Sequence, residues 1–157
     1  MSEGIKSAPG PAAGAPWWVT IFSPIARSVL ATRFPLGFNG LITVPGRKTG
    51  VPRTTPVAII NVSGRRWVWA PWGEVNWVRN LRAAGRATIE VRRQTEPVTA
   101  RELDPAERLV FFRDVLGPLA RSMRGGMWFI RTFDGVDLDD PAAAAANRPV
   151  FELRPES

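Results

Sequence analysis

Two kinds of apolar periodicity alternate along the chain. Phe38–Val44 and Thr54–Val62 are runs rich in apolar and β-branched residues, and Ser63-Gly64 reads as a tight turn into a third run, Arg65–Ala70. In that third run Arg66, Val68 and Ala70 alternate with Trp67, Trp69 and Pro71, so one face of the strand is aromatic. Asn76 is placed to cap a short helix in which Trp77, Leu81 and Ala84 share a face, with Gly85 just past its end. Ala87–Arg92 alternates again as a half-buried strand, and Pro97–Leu103 is its partner after a turn near Gln94–Glu96. Asp104-Pro105-Ala106-Glu107 then starts a helix: an Asp cap, Pro at the first position, and Glu placed to close a capping box. Leu109, Phe112, Leu116 and Leu119 continue a helical stripe that Gly117-Pro118 is expected to break or bend. Gly125-Gly126 marks a mobile connection within Arg121–Phe133, followed by an acidic loop (Asp134–Asp140), a short helix (Pro141–Ala146) and a closing strand (Val150–Leu153). About six antiparallel strands with intervening helices predict an α+β, mainly β, fold: a small β-barrel with flanking helices.

The N-terminal part follows different rules. Residues 1–16 are rich in Ala, Gly, Pro and Ser and are expected to be a disordered tail, leaving 17–157 as a single domain. Trp17–Phe34 reads as an amphipathic helix kinked or restarted at Pro24, too short for a membrane span of ~20 residues. Its paired Trp17 and Trp18 suit packing against the domain first, and otherwise a lid over a site or a peripheral contact with a lipid interface. No basic segment precedes an apolar core, so a secretory signal is not expected and a cytoplasmic, at most membrane-associated, location is.

Composition narrows the chemistry. The chain has no Cys, His or Tyr. Disulfides, thiol chemistry, a serine–histidine triad, a phenol proton donor and zinc ligation by the usual residues are therefore excluded, and no metal site is expected. Catalysis must rest on a cofactor, on carboxylates, or on Arg, Lys and hydroxyl electrostatics. The net charge is +7, unevenly spread. Between Phe38 and Arg93 ten cations meet only Glu74 and Glu90, 10 − 2 = +8, which suits a polyanionic ligand.

That basic half contains Gly46-Arg47-Lys48-Thr49-Gly50-Val51-Pro52-Arg53-Thr54-Thr55-Pro56. Two glycines and two prolines make it a turn between strands; three cations and three hydroxyls make it either an anion receptor or a solvated basic tip. It lacks the Walker A order of residues.

The run Leu41–Gly50 through Arg53-Thr54-Thr55-Pro56 resembles the signature of the deazaflavin-dependent nitroreductase family of actinobacteria, as does Trp69-Ala70-Pro71-Trp72-Gly73 with Asn76–Gly85. The resemblance covers about Phe38 to Leu103 and implies a split β-barrel of the flavin/deazaflavin oxidoreductase superfamily. It implies coenzyme F420 as cofactor, with FMN the alternative. Arg47, Lys48, Thr49 and Arg53 would cradle the phosphate and the oligoglutamate tail. Thr54, Thr55 and Pro56 would run beside the ring system. Trp69, Ala70, Pro71, Trp72 and Gly73 would form the opposite wall, completed by Trp77 and Asn80. Where one nitroreductase branch carries a Ser-Lys pair in that wall, this chain has Pro71-Trp72. The substrate-side tyrosines of that branch have no counterpart here.

The resemblance implies a reductase that transfers a hydride from the reduced deazaflavin to a small-molecule acceptor of the quinone, nitroaromatic or enone type. Trp17, Trp18 and Trp128 are candidates for the substrate pocket, by stacking on flat acceptors. The substrate proton is expected from solvent, from Ser122 or from a Thr hydroxyl, so no side chain should titrate in the rate between about pH 6 and 8. A homodimer is in keeping with the superfamily, and nucleic acid is not an expected partner. The alternative function is a non-catalytic barrel that binds an apolar ligand such as a lipid or tetrapyrrole.

Overall fold

A computed structural model describes residues 39–157. The tail 1–16, the helix expected over Trp17–Phe34, and Trp17 and Trp18 with it lie outside the described residues. Seven antiparallel strands form one sheet: β1 (Gly40–Pro45), β2 (Pro52–Val57), β3 (Ile59–Val62), β4 (Arg65–Trp69), β5 (Arg86–Val91), β6 (Gln94–Glu102) and β7 (Val150–Pro155). Their spatial order is β2-β1-β5-β6-β7-β4-β3. The two edges of the sheet are β2 and β3, yet only Ala58 separates them in the chain. A sheet whose edges are tied by one residue has to curl, and the result is a barrel split between β2 and β3.

The barrel accounts for the alternation. Ile42, Val44, Val57, Ile59, Val68, Ala87, Ile89, Val98, Phe151 and Leu153 pack into one interior cluster to which every strand contributes. Among the described residues the opposite face is covered where Ile60, Trp67, Trp69 and Val150 meet Phe111, Phe112, Leu116 and Ile130. The aromatic face of β4 is thus core: Trp67 lies 5.8 Å from Phe111 and Trp69 stands edge-on to Phe112 at 5.6 Å. Such pairs add about 0.5–1.5 kcal/mol beyond the area they bury.

Six strands become seven because Thr54–Val62 does not continue straight. At the corner the Asn39 side chain acts as a strand partner, donating from Nδ2 to the Ile59 carbonyl and accepting from the Ile59 N–H, both at 2.7 Å. Next to it, a Cβ on Gly40 would come within 2.9 Å of the Glu90 carbonyl oxygen and of Ile59 Cδ1. The corner therefore needs a residue without a side chain.

The helices are α1 (Asn76–Ala84), α2 (Pro105–Val110), α3 (Gly117–Ser122), α4 (Gly126–Phe129) and α5 (Pro141–Ala146), with π-helical turns at Phe111–Leu116 and Ile130–Asp134. The capping box forms as expected: Asp104 accepts from the Glu107 N–H at 2.8 Å, and Glu107 accepts from the Asp104 N–H at 2.9 Å. Two local expectations need correction. Val75, not Asn76, precedes α1, with no side-chain cap. The β5–β6 turn sits at Arg92-Arg93, whose φ values of 51° and 66° give the left-handed pair that matches strand twist. At Gly117-Pro118, where a break or bend is expected, the helix runs on through a π-helical turn. Pro118 has no N–H to donate, and the ladder slips by one so that the Gly117 N–H reaches the Phe112 carbonyl. Among the described residues no helix is long and apolar enough to cross a membrane.

Candidate functional site

The β1–β2 loop is a closed turn fastened to α1. The Gly46 N–H donates to the Val51 carbonyl at 2.9 Å and the Gly50 N–H to the Gly46 carbonyl at 2.7 Å, while Thr49 Oγ1 accepts from the Val51 N–H at 3.3 Å. Asn80 of α1, 4% exposed, directs its amide oxygen at Arg47 and accepts from its backbone N–H at 3.2 Å and from Nη1 at 2.8 Å. Burying this amide is possible because its oxygen is satisfied twice. Asn80 thus fixes the loop, and part of the Arg47 fork is already used. Lys48 and Arg53 are exposed and have no carboxylate within ion-pair distance among the described residues. Thr54 bonds Thr43 across the strands at 2.7 Å, and Thr55 and Pro56, half-buried, lie opposite Ile42 and Leu41. Among the described residues β2 pairs only with β1, so its outer row of backbone groups has no strand partner there.

The wall segment divides. Trp69 and Ala70 are buried, Trp69 in the outer cluster and Ala70 in the interior one, so neither side chain faces an open site. Ala70 also donates its N–H to the Pro149 carbonyl at 3.0 Å and accepts from Gly73 at 3.1 Å. Pro71, Trp72 and Gly73 instead line a cavity of about 530 Å³ together with Glu74, Arg108, Ala146, Asn147, Arg148 and Pro149. Trp77 is half-buried, with its ring 6.4 Å from Phe151. Trp128 is 64% exposed and takes no part in lining this cavity.

The +8 count is redistributed by folding. Arg65 is met by Glu152, Arg66 by Glu96, and Arg82 by both Glu74 and Glu102. Glu152, 4% exposed, also takes Arg101 and Arg154. The other seven cations of that half have no carboxylate partner among the described residues, and Arg47, Lys48 and Arg53 are grouped at the loop. The unpaired positive charge is thus smaller than the sequence count, and three of its seven cations sit together at the predicted anion receptor.

Residues 26–121, more than half of the chain, match the family model described as F420H(2)-dependent quinone reductase. The chain belongs to that family. Solved structures to which it is similar include an F420-H2 dependent reductase, 20% identical, covering 73% of this chain and 92% of that one with a TM-score of 0.48. A domain-swapped dimer is 21% identical over 73% of this chain and 78% of that chain, with a TM-score of 0.49. The heme storage protein HutZ from Vibrio cholerae is 15% identical over 82% and 89%, with a TM-score of 0.49. Family membership makes coenzyme F420 the cofactor and the chain an F420H2-dependent reductase.

The donor set of the loop fits such a cofactor. A phosphate and carboxylates call for cations not already neutralised, and Lys48 and Arg53 supply them among the described residues. The N–H groups of Gly46, Arg47, Gly50 and Val51 are used within the protein, so the side chains rather than the backbone are the donors. Among the described residues no cluster of acidic groups suited to a metal ion competes with this reading.

Three groups escaped the sequence. Asp134, assigned only to an acidic loop, is pushed up to about 7 by burial, with Arg148 acting in the opposite direction. Histidine's absence therefore does not leave neutral pH empty of titrating groups. Arg148 spends its guanidinium on the carbonyls of Pro71 at 3.0 Å and of Ala144 and Gly135 at 3.3 Å. Arg108 lines the cavity with a buried Nε that has no partner. No local motif announces them, because burial by distant segments creates all three roles.

Proposed function

We propose that this reductase delivers a hydride to a quinone, nitroaromatic or enone-type acceptor, with the cofactor's phosphate and tail at Arg47, Lys48, Thr49 and Arg53. Thr54, Thr55 and Pro56 lie beside the ring system in this reading, along the outer edge of β2. Pro71, Trp72 and Gly73, with Trp77 and Asn80, form the facing wall, to which Trp69 and Ala70 contribute as buried support. The observation that carries the proposal is the loop itself: Lys48 and Arg53 have no carboxylate partner among the described residues, and Asn80 fastens the loop at Arg47. When bound, reduced F420 supplies the hydride; the protein's part is to bind, orient and exclude water. Trp128, with Trp17 and Trp18, is the proposed aromatic surface for a flat acceptor. The Ser122 hydroxyl donates to the Leu119 carbonyl at 2.7 Å, and the Thr43 and Thr54 hydroxyls are bonded to each other, so solvent is the proton source we favour. The barrel interior is filled by its own side chains, which gives the apolar-ligand alternative no support among the described residues.

Anaerobic titration with oxidised and reduced F420, followed by fluorescence, tests the assignment. Lys48→Ala and Arg53→Ala should each weaken binding about tenfold, the loss of a charge-assisted hydrogen bond of about 1.5–3 kcal/mol. Two variants that bind like the parent would sink the loop assignment. A parallel assay with a quinone, a nitroarene and an enone decides the acceptor, and no turnover of any of them would reject the substrate class.

A further inference from the structure

The cavity beside the wall has a chemistry of its own. Its frame is rigid: Ala70 is bonded to Pro149, Arg148 is bonded to Pro71, and a Cβ on Gly73 would lie 3.2 Å from the Asn147 carbonyl oxygen. One side is apolar, made by Pro71, Trp72, Ala146 and Pro149. Its charged lining is Arg108, Arg148 and Glu74. Both Glu74 carboxylate oxygens are held by Arg82, at 2.6 and 3.0 Å, and the same carboxylate feels the charge of Arg108. One acid is thus shared among arginines that outnumber it, and the lining stays net positive. Arg148 is tied to backbone carbonyls, with the Asp134 carboxyl as its charged neighbour. The Arg108 side chain has no hydrogen-bond or ion-pair partner among the described residues; its Nε is closed off from water and so from a ligand, and the residue lines the cavity with the rest of its fork. A guanidinium with unpartnered donors at a cavity wall suits a planar oxyanion, the acceptor whose geometry matches it.

We infer that the cavity between the β4–α1 turn, α2 and the Ala146–Pro149 segment binds a small aromatic carboxylate, its anionic end on Arg108 and its ring against Pro71 and Trp72. A guanidinium and an apolar, partly aromatic wall recognise the two halves of such a molecule, and a neutral ring would leave Arg108 unsatisfied. The site shares Pro71–Gly73 with the proposed deazaflavin wall but needs no cofactor, so it is tested in its absence.

The probes are 4-fluorobenzoate and its neutral isostere 4-fluorobenzamide, titrated into the full chain without F420 and followed by fluorine NMR and tryptophan fluorescence. The acid should bind at least tenfold tighter than the amide. Arg108→Gln should remove that preference, Arg108→Lys should restore part of it, and Arg124→Gln, at an exposed cation away from the cavity, should leave it unchanged. Thermal melts confirm that each variant is folded; if Arg108→Gln is not, Arg108→Lys against the parent carries the comparison, with a loss of at least threefold for the acid and none for the amide. Equal binding of acid and amide, no binding at millimolar probe, or an unaltered preference without Arg108 would overturn the inference. None of these outcomes bears on the F420 titration, whose failure would equally leave this site standing.

Discussion

Asn80 is the most informative position to perturb, since it ties the basic loop to α1. Its amide oxygen accepts from the Arg47 backbone N–H at 3.2 Å and from Nη1 at 2.8 Å. Asn80→Ala removes both acceptors and leaves a small void under the loop. A hydrogen bond to a charged donor contributes about 1.5–3 kcal/mol and a neutral one about 1 kcal/mol. Arg47 is exposed and water can replace much of what it loses, so the net loosening should be about 1–2 kcal/mol. If F420 needs the loop ordered, that amount reappears as a five- to thirtyfold loss of affinity, by roughly 1.4 kcal/mol per factor of ten. Asn80→Asp separates order from charge: it retains the acceptor for Arg47 but adds a negative charge at the site. The Asp variant should keep the loop closed and still weaken an anionic cofactor, with a shallower dependence on salt. Amide hydrogen exchange over Gly46–Gly50 reads the loop, and fluorescence titration at low and high ionic strength reads binding. Unchanged exchange in Asn80→Ala, together with affinity within twofold of the parent, would refute the argument.

Three further outcomes follow from the geometry. Asp134 has its proton affinity raised by burial, from 3.8 to about 7, so between those values the folded chain holds a proton that the unfolded chain has released. Stability should therefore fall as pH rises from about 4 to about 7 and level off above, and Asp134→Asn should flatten this slope and be about 2–4 kcal/mol more stable at pH 8, from 1.36 kcal/mol per unit. Urea melts across that range check it, and a parent with no such slope would show the carboxyl to be solvated. Gly40→Ala should destabilise by about 1–3 kcal/mol, since its Cβ would lie 2.9 Å from the Glu90 carbonyl oxygen; an unaltered melting temperature would contradict the close corner. Asp104→Ala should cost about 1 kcal/mol by removing the α2 cap, measured by chemical denaturation, whereas a neutral result would mean that the capping box adds nothing.

The barrel was legible because its strands keep a period of two, with Ile42 and Val44, Val68 and Ala70, Ala87 and Ile89 on the interior face. The corner at Ala58 was not, because Val57-Ala58-Ile59-Ile60 is apolar without a break. What bends it lies 19 and 20 positions earlier, at Gly40 and Asn39 relative to Ile59. The same distance problem affected charge. A count over Phe38–Arg93 could not see that Arg65 is met by Glu152, 87 positions away. The basic loop was readable from its residue types, and the cation group survives folding. The Arg108 cavity was not readable, since the β4–α1 turn, α2 and the segment before β7 each contribute only a few residues to it.

The allocation of carboxylates explains why the basic loop keeps its charge. Neither β1 nor β2 contains an acidic residue, and Glu90 of β5 lies opposite Leu41, towards the far end of β1 from the loop. Elsewhere in the sheet Glu152 is central, buried on β7 and meeting Arg65 of β4, Arg101 of β6 and Arg154 of its own strand. Among the described residues folding therefore pairs Arg65, Arg66 and Arg82 with glutamates and leaves the cations at the end of the β1–β2 hairpin unpaired, as it does Arg79, Arg86, Arg92 and Arg93 elsewhere. Exposed unlike charges farther apart than about 8–10 Å are largely screened at physiological salt, so the glutamates of β7 and β6 cannot compensate the loop from a distance. A loop whose cations have no internal partner is costly for stability alone, because like charges at Arg47, Lys48 and Arg53 repel. It is favourable where a ligand brings several negative charges at once, and a phosphodiester followed by an oligoglutamate tail is such a ligand.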